Sequence, residues 1–134
     1  MEIDHVAIVV KDLAAVLRLY TGTLGFEQAY REIVPDQGVE VVGLKAGGAI
    51  VELLRPLDEQ SPIAKYRGEA STRLHHTAYR VRDLQAKLDE LKAAGIRLID
   101  ERPRAGAHGN LIAFLHPQAT AGVLIELCQP PASF

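Results

Sequence analysis

The chain repeats itself, and no other feature of the sequence constrains its fold as strongly. Displaced by 71 residues, the segment from His5 to Leu19 falls on His76 to Glu90 with seven identities: His5/His76, Ala7/Ala78, Val10/Val81, Asp12/Asp83, Leu13/Leu84, Ala15/Ala86 and Leu17/Leu88. Displaced by 74, Gly48–Pro56 falls on Gly122–Pro130 with four identities in nine, one of them Glu52 on Glu126. Two matches in the same order and at nearly the same offset mark a duplicated module rather than two strands of similar composition.

Each copy carries the same local signals. Residues 3–10 and 74–81 are β-rich runs of strand length. Asp12 and Asp83 follow where a helix N-cap belongs. After Asp12, Leu13, Val16, Leu17, Tyr20 and Leu24 keep the spacing of one helical face, and Leu84, Leu88 and Leu91 do so after Asp83. Gly25 and Gly95 stand at the C′ positions. Three strands are then expected in each half, near 26–34, 39–46 and 49–55, and near 97–100, 110–116 and 122–128. The fold class is α+β, a βαβββ unit used twice within one domain spanning 1–134. Its modules cover 1–56 and 73–129, joined by a polar, turn-rich arm at 57–72.

Composition narrows the function classes. Fifteen Lys and Arg against seventeen Asp and Glu give a net charge of −2, without the basic field of a dedicated nucleic-acid binder. No apolar run reaches the length of a membrane span, and the acidic start Met1-Glu2 lacks the basic region of a signal peptide. The single cysteine, Cys128, has no internal partner. A reducing, cytoplasmic setting is therefore expected.

Strand alternation places the chemistry. Ile3, His5, Ala7 and Val9 share one face, and the repeat selects His76 rather than His75 as the partner of His5. Glu52 shares a face with Ile50 and Leu54, and Glu126 with Leu124 and Cys128. An ionised carboxylate among apolar neighbours is costly unless paired or bound to metal. Alone, each histidine reads as a core residue and each glutamate as the rim of a solvated sheet. Recurring as a His…Glu pair in both halves, His5, Glu52, His76 and Glu126 read instead as a ligand set. Two imidazoles and two carboxylates suit a divalent ion such as Zn, Ni, Co or Mn.

With these residues in place, the chain resembles the vicinal-oxygen-chelate superfamily, which contains the glyoxalases, bleomycin-resistance proteins and dioxygenases. More narrowly it is similar to the methylmalonyl-CoA epimerases. The phrases that carry the likeness are Ile-Asp-His-Val-Ala at 3–7, Pro-Asp-Gln-Gly-Val at 35–39 and Val-Glu-Leu-Leu-Arg-Pro-Leu at 51–57. Ser-Pro-Ile-Ala-Lys at 61–65, His-His-Thr-Ala at 75–78, Phe-Leu-His-Pro at 114–117 and Gly-Val-Leu-Ile-Glu-Leu at 122–127 continue it.

The resemblance implies a partly closed, cup-like mixed β-barrel with helices outside. It implies metal ligands His5, Glu52, His76 and Glu126, and an acyl-CoA substrate epimerised at C2 through a metal-stabilised enolate. Glu126 would act as acid and base on one face. A homodimer is implied as well. Some epimerases carry a second glutamate at the position of Val41; the neighbouring Glu40 points to the other sheet face, leaving His108 and His116 as further titratable groups. Lys65 and Arg104 are the candidate contacts for the coenzyme A phosphates. The His/Glu/His/Glu set is also that of glyoxalase I, so a glyoxalase-type isomerase acting on a glutathione hemithioacetal is the alternative enzyme. A non-catalytic binding protein of the same superfamily is the third class.

Overall fold

A computed structural model describes residues 1–132. It contains eight strands, hydrogen-bonded in the order β2-β3-β4-β1 and in the order β5-β8-β7-β6. They are β1 (Ile3–Val10), β2 (Gln28–Val34), β3 (Val39–Ala46), β4 (Ala49–Pro56), β5 (Thr72–Arg80), β6 (Arg104–Ala105), β7 (Leu111–Phe114) and β8 (Ile125–Gln129). Three α-helices accompany them: α1 (Leu13–Leu17), α2 (Pro62–Arg67) and α3 (Leu84–Ala93). Among the described residues, no helix is long and apolar enough to cross a membrane.

The chain divides into two compact units, one running from His5 to His75, the other combining Met1–Asp4 with the chain from His76 onward. In the first, β1 runs parallel to β4, and β4 and β2 both lie antiparallel to β3. In the second, β5 runs parallel to β8, with β7 antiparallel to β8 and β6 antiparallel to β7. The βαβββ order is thus repeated in hydrogen bonding as well as in sequence.

Both caps form. The Asp12 carboxylate accepts from the Ala15 N–H at 3.0 Å, and the Asp83 carboxylate from the Ala86 N–H at 3.1 Å. Gly25 and Gly95 each turn the chain with φ +80°, a region costly for any side chain. In the first unit Val10, Leu13, Val42, Leu44 and Leu53 form the core beneath α1; in the second Leu84, Leu88, Ala113, Leu115 and Leu127 do so beneath α3.

Three expectations are corrected. The first helix does not keep 3.6-residue spacing to Leu24: it widens into a π-type turn over Arg18–Thr23, where the Leu24 N–H bonds Leu19 C=O. The wider turn shifts the phase, so Leu24 is exposed and Phe26 packs on Tyr20 instead, ring centroids 5.4 Å apart. The strand expected at 97–100 shrinks to a single bridge from Leu98 to Leu115. Asp100 there accepts from the Phe114 N–H through its side chain, displacing the ladder, and the edge strand forms at Arg104–Ala105. The arm is not only turns. Ser61 caps α2 by accepting from the Ala64 N–H, with Pro62 in the first turn, and the buried Arg67 grips Glu59 through two hydrogen bonds at 2.7 and 3.3 Å.

Candidate metal centre

The residues singled out by the repeat lie on the sheet face opposite the helix in each unit. In the first unit, Val51 and Leu53 of β4 face the helix-side core, so the alternation turns Glu52 to the other face. His5 on β1 and Glu52 on β4 are both buried, with His5 Nε2 3.4 Å from Glu52 Oε1. In the second unit, Leu127 packs under α3 and its neighbours Glu126 and Cys128 face away from it. There His76 Nε2 lies 3.2 Å from Glu126 Oε2, again with both side chains buried.

Those separations test whether a cation fits. Two ligands on one ion with bonds of about 2.1 Å stand about 3.0 Å apart at a right angle and about 3.4 Å apart at the tetrahedral angle. A direct charge-assisted hydrogen bond would instead be about 2.7–2.9 Å. The observed 3.4 and 3.2 Å match paired ligands better than paired partners. Nitrogen and carboxylate oxygen donors in a buried setting fit a divalent transition metal. The neighbouring Asp4 is buried as well. Asp4, however, is bound by Arg80, Nε to Oδ1 3.0 Å, which neutralises it, and the same contact raises the Arg80 pKa.

Beyond the pairs, each carboxylate has a neutral donor on its other oxygen. Tyr30 Oη donates to Glu52 Oε2 at 2.5 Å, and the Cys128 thiol donates to Glu126 Oε1 at 2.9 Å. Neither partner follows from the repeat. The signal for Cys128 was its i+2 spacing from Glu126 on one strand; Tyr30 had none, because it arrives through the pairing of β2 with β3.

The remaining candidates fall elsewhere. Val41 is buried on the same face as Glu52, two residues from Gly43, which pairs with Glu52 across the sheet. Glu40 lies on the opposite face and is gripped by Arg31 and Arg55, both at 2.9 Å. The Arg31 hydrogen bond above all, outweighing partial burial, with Arg55 in support, holds the Glu40 carboxyl below its ordinary range. His116 caps the turn Pro117–Ala119, its Nδ1 accepting from the Gln118 N–H. His108 is exposed in the turn Ala107–Gly109, with φ +58°. Lys65 is exposed on α2. Arg104 is half-buried, its Nε 3.3 Å from Asp100 Oδ1 without hydrogen-bond alignment, and its guanidinium lies over the Phe114 ring.

With this geometry in hand, the family is decided by comparison. The family model described as the glyoxalase/bleomycin resistance protein/dioxygenase superfamily matches residues 4–114. The chain belongs to this superfamily. Within it, the chain is 42% identical over 129 residues to the ethylmalonyl-CoA/methylmalonyl-CoA epimerase of Cereibacter sphaeroides, covering 95% of this chain and 96% of the relative. A hypothetical protein from Bacillus halodurans superposes with a TM-score of 0.93 at 37% identity, covering 99% of this chain and 96% of that one. A methylmalonyl-CoA epimerase solved in complex with methylmalonyl-CoA and NH4+ superposes with a TM-score of 0.91 at 34% identity, covering 98% and 95%. The fold is therefore of the vicinal-oxygen-chelate type, and the homology is to epimerases along nearly the full chain.

Proposed function

We propose that the protein interconverts the (2R) and (2S) forms of methylmalonyl-CoA, with His5, Glu52, His76 and Glu126 holding a divalent cation. The observation that carries this reading is the duplicated buried His–Glu pair at ligand spacing. The epimerase relatives support the substrate class: one acts by name on ethylmalonyl- and methylmalonyl-CoA, and another binds methylmalonyl-CoA. The modules 1–56 and 73–129, joined by the arm 57–72, each contribute one histidine and one glutamate.

A proton α to a thioester is too weakly acidic for a carboxylate to remove unaided. Held by these four residues, a Co, Zn, Ni or Mn ion would supply Lewis-acid polarisation of the acyl group. Glu126 takes or returns the C2 proton on one face, and a second acid/base serves the other. Val41 has no proton to exchange and Glu40 is committed to two arginines on the far sheet face, so that second group is neither of them. The same reading carries a homodimer, checked by light scattering, and a reducing cytoplasmic compartment for Cys128.

The test is incubation of metal-loaded protein with a single epimer in deuterated water, read by mass spectrometry for configuration and deuterium at C2, against an EDTA-treated control. Metal-dependent inversion with deuterium uptake is the expected result. Cation binding without exchange overturns it. Conversion of a glutathione hemithioacetal would then favour the glyoxalase-type isomerase, to which two glutamates are equally suited, and turnover of neither substrate would favour a binding protein.

A further inference from the structure

The two His–Glu pairs are related by the repeat, but what supports them is not. Across the sheet from Glu126, on β7, stands Phe114, whose ring meets His76 edge-on at 5.2 Å. Across from Glu52, on β3, stands Gly43, and across from Gly43, on β2, stands Tyr30. A Cβ at Gly43 would lie 2.5 Å from Tyr30 Cε1 and 2.6 Å from Cε2, inside any tolerable contact. Only a glycine lets the phenol ring lie across this position. From that seat Tyr30 Oη donates to Glu52 Oε2 at 2.5 Å, while Glu52 Oε1 faces His5.

A carboxylate presents two equivalent oxygens and turns about its last side-chain bond. A short bond from a neutral hydroxyl to one oxygen ends that freedom and commits the other oxygen to the histidine side. We propose that Tyr30, seated on Gly43, is a positioning residue that holds Glu52 as a one-oxygen ligand of the cation. The three residues Tyr30, Gly43 and Glu52 act as a row: the first supplies the donor, the second the room and the third the ligand. This rests on the metal reading of the preceding section.

The experiment is titration of the full apo chain with cobalt(II), followed by calorimetry and by the visible ligand-field bands, with apo melting recorded beside it. Wild type binds one cobalt per chain and Glu52→Ala loses it. Tyr30→Phe keeps the ring over Gly43 and removes only the hydroxyl. It raises the cobalt Kd by roughly 10- to 100-fold, the ordinary cost of losing an outer partner of a ligand, and shifts the bands as the second oxygen swings in. Gly43→Ala displaces the ring and raises Kd in the same way. In a Tyr30→Ala background the three atoms nearest that Cβ, all of the phenol ring, are gone, so Gly43→Ala changes Kd by no more than about twofold, the usual limit of additive behaviour. A Tyr30→Phe protein with unshifted bands and a Kd within about twofold of wild type overturns the proposal, as does a full Gly43→Ala effect in the Tyr30→Ala background. Failure of wild type to take up cobalt at all overturns the metal reading first, and the proposal with it.

Discussion

Glu126→Gln, melted with and without cobalt(II) at pH 8, tests the metal centre through stability alone. The Glu126 side chain is 3% exposed, with Oε2 beside His76 and Oε1 accepting from the Cys128 thiol. Without metal this carboxylate is held out of water beside the His76 imidazole. A glutamine keeps its volume and its contact with Cys128 while deleting a buried charge, so the apo variant melts no lower than apo wild type. With metal the order reverses. At a cobalt concentration a hundred times its Kd, wild type gains about 2.7 kcal/mol. An unfolding entropy of roughly 2.1 cal/mol/K per residue over 134 residues is about 0.28 kcal/mol/K, so Tm rises by about 10 °C. If the variant binds a hundredfold more weakly, the same cobalt concentration equals its Kd. The gain is then about 0.4 kcal/mol, or about 1.5 °C. Scanning calorimetry with EDTA and with cobalt reads all four values. A variant that keeps the 10 °C rise, or whose apo form melts well below apo wild type, refutes the assignment, since Glu126 would then serve an ion pair rather than a cation.

Further outcomes follow from the rest of the structure. Asp83→Ala removes the cap on the Ala86 N–H and costs about 1 kcal/mol, seen as a lower urea midpoint with an unchanged m-value. Leu88→Ala empties a site 1% exposed in the core beneath α3; the loss is roughly 2–5 kcal/mol, and less than 1 would mean the core had collapsed around it. Glu40→Gln breaks the bridges to Arg31 and Arg55 and costs about 0.5–1 kcal/mol at pH 7. Because the folded Glu40 pKa lies below its unfolded value of 4.5, this stabilisation is present above the unfolded pKa and is lost as pH falls through the folded one. Wild type and Glu40→Gln therefore converge in denaturant stability at strongly acidic pH; a gap that persists there would place the effect in packing.

Much of the architecture was legible residue by residue. The runs 3–10 and 39–46 form strands over those same bounds, because a concentration of β-branched residues favours a strand locally. The helix starts at Asp12 and Asp83 and the stops at Gly25 and Gly95 were equally plain, since caps and positive φ are properties of one or two residues. The helix within the arm could have been read from Ser61 and Pro62, a cap followed by a proline, had the polar composition around them not suggested turns alone. The π-type turn at Arg18–Thr23 was not legible, because its phase is set by which aromatic packs, Phe26 rather than Leu24.

The site divides along the same line. The sequence by itself determined the candidate ligand types and their faces: strand alternation has a period of two, which fixes the side of the sheet that His5, Glu52, His76 and Glu126 occupy. Their separations, and the partners on their far oxygens, depend on cross-strand register. Tyr30 reaches Glu52 only because β2, β3 and β4 align Tyr30, Gly43 and Glu52 in one row. That row joins residues 22 positions apart in the chain, and its register is set by packing on both sheet faces, where 41–44 of β3 and 52–54 of β4 are buried in succession. Such a sum over many weak contacts is settled by tertiary packing, not by any local pattern.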